Sequence, residues 1–344
     1  MRADGVRGVL AFAVALGCVL ALVPLIRRLC VRWAIFDQPG HLKTHGEPIP
    51  RLGGLAIAIA LAAGVAIAFA VHGARSGTLF FAAALGLVWL AGFVDDLRQL
   101  GPPFRLLAQI GCALLLYAGD WRVAGSSSAA FAILAQCLFV ILFVNAFNFL
   151  DGADGLAAGI TGVIALGYAA LPGVGLSAFG WAVAWSLLGA CAGFLCFNFP
   201  PAKIFMGDSG STVLGFSVAF LGLDFIGARG GGTTASSLAF PFLIAGLPLL
   251  DALAVMTRRA LQGASPFLGD RGHFYDFLLA AGWTTRRVAI RCYFLTGILG
   301  LLGWFAMQGG SRRSVILTVG IFAGLLLGAL RLGAMKQARY RVQL

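Results

Sequence analysis

The sequence contains few charged residues, and acidic side chains are the minority among them. Only 11% of its 344 residues are charged, with 13 Asp and Glu against 25 Lys and Arg, while 60% are hydrophobic. A soluble domain of this length does not need so much apolar surface, so the composition excludes a soluble protein. The apolar runs are long and continuous instead of alternating, which excludes a transmembrane β-barrel. The predicted fold class is an all-α, polytopic membrane helix bundle.

Several common chemical motifs are also missing. The seven cysteines form no C-x-x-C pair and lie mostly in apolar runs, so we interpret them as small core residues. The histidines at 41, 45 and 273 do not have a zinc-binding spacing, and neither a G-x-S-x-G motif nor a P-loop is present. No internal repeat or soluble-domain boundary interrupts the chain, so we expect one integral-membrane domain over residues 1–344.

The apolar runs predict eleven helices, each roughly long enough for a ~30 Å hydrocarbon core. They lie at 8–28, 53–71, 78–94, 104–119, 130–149, 155–171, 177–198, 211–228, 237–257, 288–307 and 314–331. The fourth and sixth are short, so we expect ten or eleven transmembrane helices. With the amino terminus outside, eighteen of the 25 basic residues fall on one side, which is therefore predicted to be cytoplasmic. The net charge of +12 then reflects topology, and no nucleic-acid partner is expected.

A polar stretch, V-N-A-F-N-F-L-D-G-A-D-G-L-A-A-G, lies between two apolar runs at 144–159. Its two amides and two carboxylates are spaced three apart: Asn145, Asn148, Asp151 and Asp154. Adjacent members can share a helix face, but the set drifts around the helix, so we expect the glycines within it to loosen the chain. Such groups are costly at the end of a membrane span unless they serve a polar site. This stretch therefore predicts a functional site.

The long loop after the first helix carries Lys43, His45 and Arg51 before Gly53 and Gly54. Two glycines let the backbone approach a ligand closely, and nearby cations suit phosphate. The alternative is a basic loop that only sets the topology.

The third helix ends in F-V-D-D-L-R-Q-L, which places Asp95 next to Asp96. Adjacent carboxylates repel each other, so they raise one pKa or recruit a cation. Beside a phosphate substrate such a pair indicates Mg²⁺ or a general base. The alternative is an ordinary helix end in which Asp96 pairs with Arg98.

The seventh helix is followed by F-N-F-P-P-A-K-I-F-M-G-D-S-G-S-T, whose two prolines stop the helix. Lys203 supplies a charge suited to phosphate, Phe205 a flat aromatic face and Asp208 another carboxylate. The start of the eighth helix also favours phosphate through its dipole. The alternative for Asp208 is a helix N-cap.

Asp251 lies inside the predicted ninth helix, about two turns before Arg258 and Arg259, so it should face the bundle interior and find a partner. The following loop carries Arg271 and His273, which suit an anionic sugar nucleotide. The alternative is a solvated basic loop.

All these residues fall on the predicted cytoplasmic side. Acids together with Lys, Arg and glycine at the lipid interface indicate Mg²⁺-dependent transfer of phosphate between a soluble and a lipid substrate. A secondary transporter or lipid flippase is the competing class, but such proteins place their acids near the midplane, where only Asp251 fits in part.

Four motifs together carry a resemblance to a known family: F-V-D-D-L-R-Q-L, the stretch at 144–159, I-F-M-G-D-S-G-S and S-P-F-L-G-D-R-G-H-F-Y-D. In this order they resemble the polyprenyl-phosphate N-acetylhexosamine-1-phosphate transferase superfamily (glycosyltransferase family 4, the MraY/WecA group). The resemblance implies a UDP-N-acetylhexosamine donor, an undecaprenyl-phosphate acceptor, UMP as a product and Mg²⁺ or Mn²⁺ as cofactor. It also implies an active site in a cytoplasmic-face cleft of the bacterial inner membrane, and it suggests a homodimer.

Carried over by position, the resemblance makes Asp208 and Asn148 Mg²⁺ ligands. Phe205 would stack on the uracil, and Asp154 would hydrogen-bond its edge. Asp95 would deprotonate or orient the lipid phosphate.

By the same resemblance, Asp96 and Asp151 would position the metal and the substrate. Together with Asp95 they form the predicted catalytic set. Lys43 would bind the lipid phosphate or diphosphate, while Arg271 and His273 would hold the diphosphate or sugar. Two further residues, Asn145 and Lys203, complete the predicted substrate-binding set.

Two differences from the peptidoglycan branch predict the branch of the family to which this chain belongs. The peptidoglycan branch has T-P-T-M-G-G in the first loop and consecutive histidines in the last, whereas this chain has I-P-R-L-G-G and H-F-Y-D. It therefore looks closer to the branch that starts O-antigen, enterobacterial or teichoic-type glycans. We expect GlcNAc-1-phosphate transfer, with FucNAc, QuiNAc or phospho-MurNAc-pentapeptide as alternatives. Direct attack by the lipid phosphate is preferred over a phospho-aspartate at Asp151.

Overall fold

The computed structural model describes residues 2–40, 46–72, 76–98, 100–123, 128–229, 235–263 and 272–342. In chain order the elements are α1 (Arg2–Arg32), β1 (Phe36–Asp37), β2 (Ile49–Pro50), α2 (Gly54–His72), α3 (Ser76–Arg98), α4 (Pro102–Ala118), α5 (Ala129–Leu150), α6 (Leu156–Ala170), α7 (Ala178–Asn198), α8 (Gly207–Ala228), α9 (Ala235–Ile244), α10 (Gly246–Leu261), α11 (Phe274–Ala280), α12 (Thr285–Met307) and α13 (Ser311–Val342). The short strands β1 and β2 pair antiparallel. The prediction of an all-α polytopic membrane bundle is confirmed.

The described helices differ in whether their length and composition suffice to cross a membrane. Among the described residues, seven helices are long and apolar enough to cross a membrane: α1, α3, α5, α7, α8, α12 and α13. The bent pair α9–α10 would make an eighth span. Shorter apolar segments in this part of the chain are α4, α6 and the stretch Gly54–Ile67 of α2. A helix lies at each predicted position, and the count of ten or eleven spans stays a prediction, because length and composition do not decide whether a shorter apolar helix crosses the membrane or is buried in the bundle.

The single helix predicted at 237–257 is wrong. It is broken at Ala245 into α9 and α10, which meet at a bend of 78°. Pro248 has no N–H to donate to the carbonyl of Ile244, so the helix cannot run through this point unbroken. The bend directs α10 against α5 and α13. It thereby carries Asp251 towards the end of α5.

Helix α8 is the centre of the bundle. Every residue from Ser209 to Ile226 is buried, and α8 packs against α2, α3, α5, α6, α7 and α9. Small residues allow this close packing: a Cβ on Gly215 would lie 2.7 Å from the Cα of Val144 in α5. The first turn of α8 is therefore surrounded by the ends of its neighbours.

Backbone hydrogen bonds join the loop before α2 to the loop before α8. The Phe205 N–H donates to the Pro50 carbonyl at 2.8 Å, and the N–H groups of Gly53 and Gly54 donate to the carbonyls of Phe205 and Met206, both at 2.9 Å. Gly53 and Phe205 are 152 positions apart in the sequence (205 − 53), yet the two loops are joined directly.

Replacing Gly54 by alanine is expected to lower the thermal midpoint of the detergent-solubilised protein. A Cβ there would overlap the backbone nitrogen of Gly210 in α8, and a backbone atom cannot move aside as a side-chain tip can. Such overpacking costs about 1–3 kcal/mol. Gly17→Ala is the matched control, because a Cβ on this α1 glycine meets nothing within 4 Å. Equal midpoints for the two variants would contradict the close contact of α2 with α8.

Candidate active site

The ends of α3 and α5 and the start of α8 meet at one end of the bundle. Asp96 of α3 and Asn148 of α5 both hydrogen-bond to Asp208 in the first turn of α8. These residues come from three of the predicted motifs. The structure therefore brings the acidic motifs together at one place.

Asp96 acts as a cap for α8. Its Oδ1 accepts from the backbone N–H of Asp208 at 2.9 Å, and its Oδ2 accepts from that of Ser209 at 3.1 Å. Oδ1 also accepts from Arg51 at 2.6 Å, and the Asp96 side chain is fully buried. Two alternatives are thereby wrong: Asp96 pairs with Arg51 and not with Arg98, and Asp96, not Asp208, caps α8.

Because it is not a cap, the Asp208 side chain is available to the cluster. Its Oδ1 accepts from Nδ2 of Asn148 at 2.5 Å, and the same Nδ2 donates to the Ser211 hydroxyl at 3.0 Å. Asn148 thus orients Asp208. Asn148 would therefore bind a cation through its other side-chain atom, Oδ1.

Asp95 faces the start of α4. Its carboxylate forms an ion pair with Nε of Arg105 at 2.9 Å, and it lies close enough to Asp208 for the two negative charges to repel each other. The Asp95 side chain is 1% exposed, whereas that of Arg105 is 39% exposed. Sequence reasoning missed Arg105 as a site residue. The signal was available, because an acid pair at a span end needs a counter-ion and Arg105 is the first basic residue of the next helix.

Asp151 follows α5 directly and carries no hydrogen-bond donor on its carboxylate among the described residues. The residue is partly accessible, and its carboxylate lies among other acids. Loss of hydration, and then the charges of Asp208, Asp96 and Asp154, raise the pKa of Asp151 well above its usual range. This crowding of negative charge would be relieved by a cation.

The donor set fits a hard divalent cation in composition. Asp208, Asp151 and Asn148 offer oxygen atoms, which Mg²⁺ prefers, and the absence of a donor to Asp151 leaves its oxygens free for such an ion. Within the described part of the chain, no three His, Cys, Asp or Glu side chains form a closed metal site. Mg²⁺ does not need one, because it retains water and uses substrate phosphates as ligands.

Asn145 lies one turn before Asn148 and contacts α4. Its Nδ2 donates to Oε1 of Gln109 at 2.7 Å and to the Ile141 carbonyl at 2.8 Å, and Gln109 donates back to Oδ1 at 3.4 Å. Here the amide joins α4 to α5. Its predicted contact with substrate stays a prediction.

The predicted nucleotide residues lie near one another. Asp154 Oδ2 accepts from the backbone N–H of Ala202 at 2.9 Å, which ties it to the loop that carries Lys203 and Phe205. The Lys203 side chain is exposed and Phe205 is partly exposed. Their contact with a nucleotide stays a prediction.

Asp251 finds its partner in His273, which confirms that it faces the interior. Asp251 Oδ2 and His273 Nδ1 are 2.6 Å apart, and both side chains are buried. Lys43 and Arg271, the other two predicted phosphate-binding residues, lie outside the described residues.

Comparison with known proteins shows the family of this chain. Residues 78–226 match the model of the family described as glycosyl transferase family 4. The chain is 31% identical over 307 residues to the probable undecaprenyl-phosphate N-acetylglucosaminyl 1-phosphate transferase of Bacillus subtilis, covering 86% of this chain and 83% of that protein.

Two further relatives extend the comparison. The decaprenyl-phosphate N-acetylglucosaminephosphotransferase of Mycolicibacterium smegmatis is 31% identical, with 80% of this chain and 76% of that protein covered. The undecaprenyl-phosphate alpha-N-acetylglucosaminyl 1-phosphate transferase of Yersinia pestis is 27% identical, with 93% and 90% covered. The chain therefore belongs to glycosyl transferase family 4 and, within the polyprenyl-phosphate N-acetylhexosamine-1-phosphate transferases, to the WecA-like branch.

Proposed function

We propose that this protein transfers GlcNAc-1-phosphate from UDP-GlcNAc to undecaprenyl phosphate, releasing UMP and forming a lipid diphosphate sugar. The observation that carries this proposal is the meeting of Asp95, Asn148 and Asp151 around Asp208 at one end of a membrane bundle. The activities after which the relatives are named support the choice of sugar and lipid.

In the proposed reaction an oxygen of the lipid phosphate attacks the β-phosphorus of the donor. The bond from that phosphorus to the bridging oxygen breaks, and the electron pair leaves with UMP. One diphosphate linkage replaces another, so no covalent enzyme intermediate is needed. A two-step route through Asp151 predicts exchange of labelled UMP into UDP-GlcNAc without any lipid acceptor. The direct route predicts no such exchange.

Mg²⁺ is proposed as the cofactor, held by Asp208, Asp151 and Oδ1 of Asn148. When bound, it would neutralise the charge that develops on the transferred phosphate. Arg105 is proposed to contact the acceptor phosphate, because Asp95 holds it at the mouth of the site and it is partly exposed.

The site is proposed to face the cytoplasm, with the amino terminus outside and the protein in the bacterial inner membrane. The excess of Lys and Arg in the loops at the site's end supports this orientation. UDP-sugars are cytoplasmic metabolites, so a cytoplasmic site also fits the donor.

The test is UMP release by the purified protein in detergent with undecaprenyl phosphate and Mg²⁺. UDP-GlcNAc, UDP-GalNAc, UDP-FucNAc, UDP-QuiNAc and UDP-MurNAc-pentapeptide are assayed side by side. We expect release with UDP-GlcNAc that requires both the lipid and a divalent cation. UMP release only with the pentapeptide donor would overturn the proposed donor and branch. UMP release unaffected by EDTA would overturn the proposed metal dependence.

A further inference from the structure

Asp251 is a buried acid that the proposed reaction does not use. It lies on α10, just beyond the bend, and its two oxygens have separate partners. Oδ2 is 2.6 Å from Nδ1 of His273, and Oδ1 accepts from the backbone N–H of Phe274 at 2.9 Å. The same carboxylate therefore holds both the His273 ring and the first turn of α11.

This contact decides which ring nitrogen of His273 carries a proton. An ionised carboxylate only accepts hydrogen bonds, so Nδ1 must be the donor. Nε2 is then the ring nitrogen available to a ligand. Within the described part of the chain no group bonds to Nε2, and it is not a buried atom without a partner. It is thus accessible to a bound molecule.

Neighbouring groups fix the plane of the ring. Tyr275 stacks on His273 with ring centroids 5.2 Å apart and planes 4° from parallel. The Phe149 and His273 rings meet edge to face, with centroids 6.1 Å apart. The chain before the ring is held by Arg258, which donates to the Gly272 carbonyl. The ring has little freedom to rotate.

The ring also lies beside the acidic cluster. The Tyr275 hydroxyl donates to the Phe149 carbonyl at 3.4 Å, and a Cβ on Gly152 would overlap that hydroxyl. Phe149 and Gly152 flank Asp151 closely, so the stack of Tyr275 and His273 rests against the end of α5. The sequence does not show this proximity, because Phe149 and Tyr275 are 126 positions apart.

We propose that Asp251 is a positioning residue for His273, holding Nδ1 protonated so that Nε2 is presented to the sugar diphosphate of the donor. The inference rests on the proposed function, since it names the residue that orients one of its substrate-binding side chains. It assigns Asp251 no direct contact with substrate. Outer partners that orient a functional histidine typically contribute about tenfold to a hundredfold.

A double-mutant cycle on UMP release tests this. Asp251→Ala and His273→Ala should each lower kcat/KM for UDP-GlcNAc by about tenfold to a hundredfold. The double variant should lose no more than His273→Ala alone, because Asp251 acts only through the ring. Losses that multiply in the double variant would overturn the proposal, as would an unchanged kcat/KM in Asp251→Ala. Asp224→Ala, a buried acid at the other end of α8, is the control for general loss of stability.

A second readout does not depend on catalysis. Nitrogen-15 NMR of histidine-labelled protein, with His273 assigned by its loss in His273→Gln, reports which ring nitrogen is protonated. We expect the Nδ1–H form in the wild type and the Nε2–H form in Asp251→Ala. If Nε2 and not Nδ1 of His273 carries the proton in the wild-type protein, the inference is overturned even if UMP release is normal. A protein that is inactive with every donor but shows the expected switch would overturn the proposed function and leave the positioning role standing.

Discussion

Asp208→Asn is expected to lower the rate of UMP release by about a thousandfold without lowering the thermal midpoint of unfolding. Asparagine keeps an oxygen that can accept from Asn148, so the local geometry survives. What is lost is the negative charge that would hold Mg²⁺. Removing one charge from a cluster that also contains Asp95 and Asp151 relieves repulsion, so the fold is not weakened. The measurement is UMP release together with a melting curve of the same preparation.

The same helix supplies the matched control. Asp224 is 3% exposed and accepts from the Trp121 indole at 3.0 Å and from the Ser177 N–H and hydroxyl at 2.8 and 2.6 Å. Asp224→Asn leaves buried donors poorly matched, at a cost of about 1–3 kcal/mol. We expect it to melt earlier yet retain activity when folded. If both variants lost activity and stability together, Asp208 would have a structural role only.

Asp96→Asn is expected to have the second largest effect, and it should act on stability. An amide has a single acceptor oxygen, whereas Asp96 accepts from Arg51 and from two backbone N–H groups of α8. Breaking a buried ion pair in this way costs about 3 kcal/mol. The melting midpoint should fall, and UMP release should fall with it, because the first turn of α8 carries Asp208. Loss of activity at an unchanged midpoint would instead favour the catalytic role that the motif predicts.

Asp37→Asn is the control for this variant. Asp37 is 3.9 Å from the same Arg51 guanidinium, but the two side chains are each 21% exposed. This pair is longer than the 2.6 Å pair of Arg51 with Asp96 and its acid is less buried, so we expect it to contribute about 1 kcal/mol or less. The midpoint of Asp37→Asn should therefore stay near that of the wild type. A drop as large as that of Asp96→Asn would show that removing any charge near Arg51 destabilises the loop.

The positions of the helices and of the polar motifs follow from local pattern. Apolar runs are continuous over a span length, and a carboxylate at the end of such a run stands out regardless of its surroundings. Asp95, Asn148 and Asp208 were therefore recognisable as site residues, and they do meet. The break at Ala245 also had a local cause in Pro248, but a proline within an apolar run does not by itself say whether the helix bends or continues.

The partners of these acids were not predictable in the same way. Arg98 is close to Asp96 in the sequence and Arg51 is 45 residues away, yet the approach of the loop before α2 to the start of α8 selects Arg51. The pairs Asp95–Arg105 and Asp251–His273 likewise depend on how neighbouring helices pack. Hydrophobic periodicity places each residue on a helix and at a depth. Which charge it meets depends on contacts between helices, such as those made by glycine, that join residues distant in the chain.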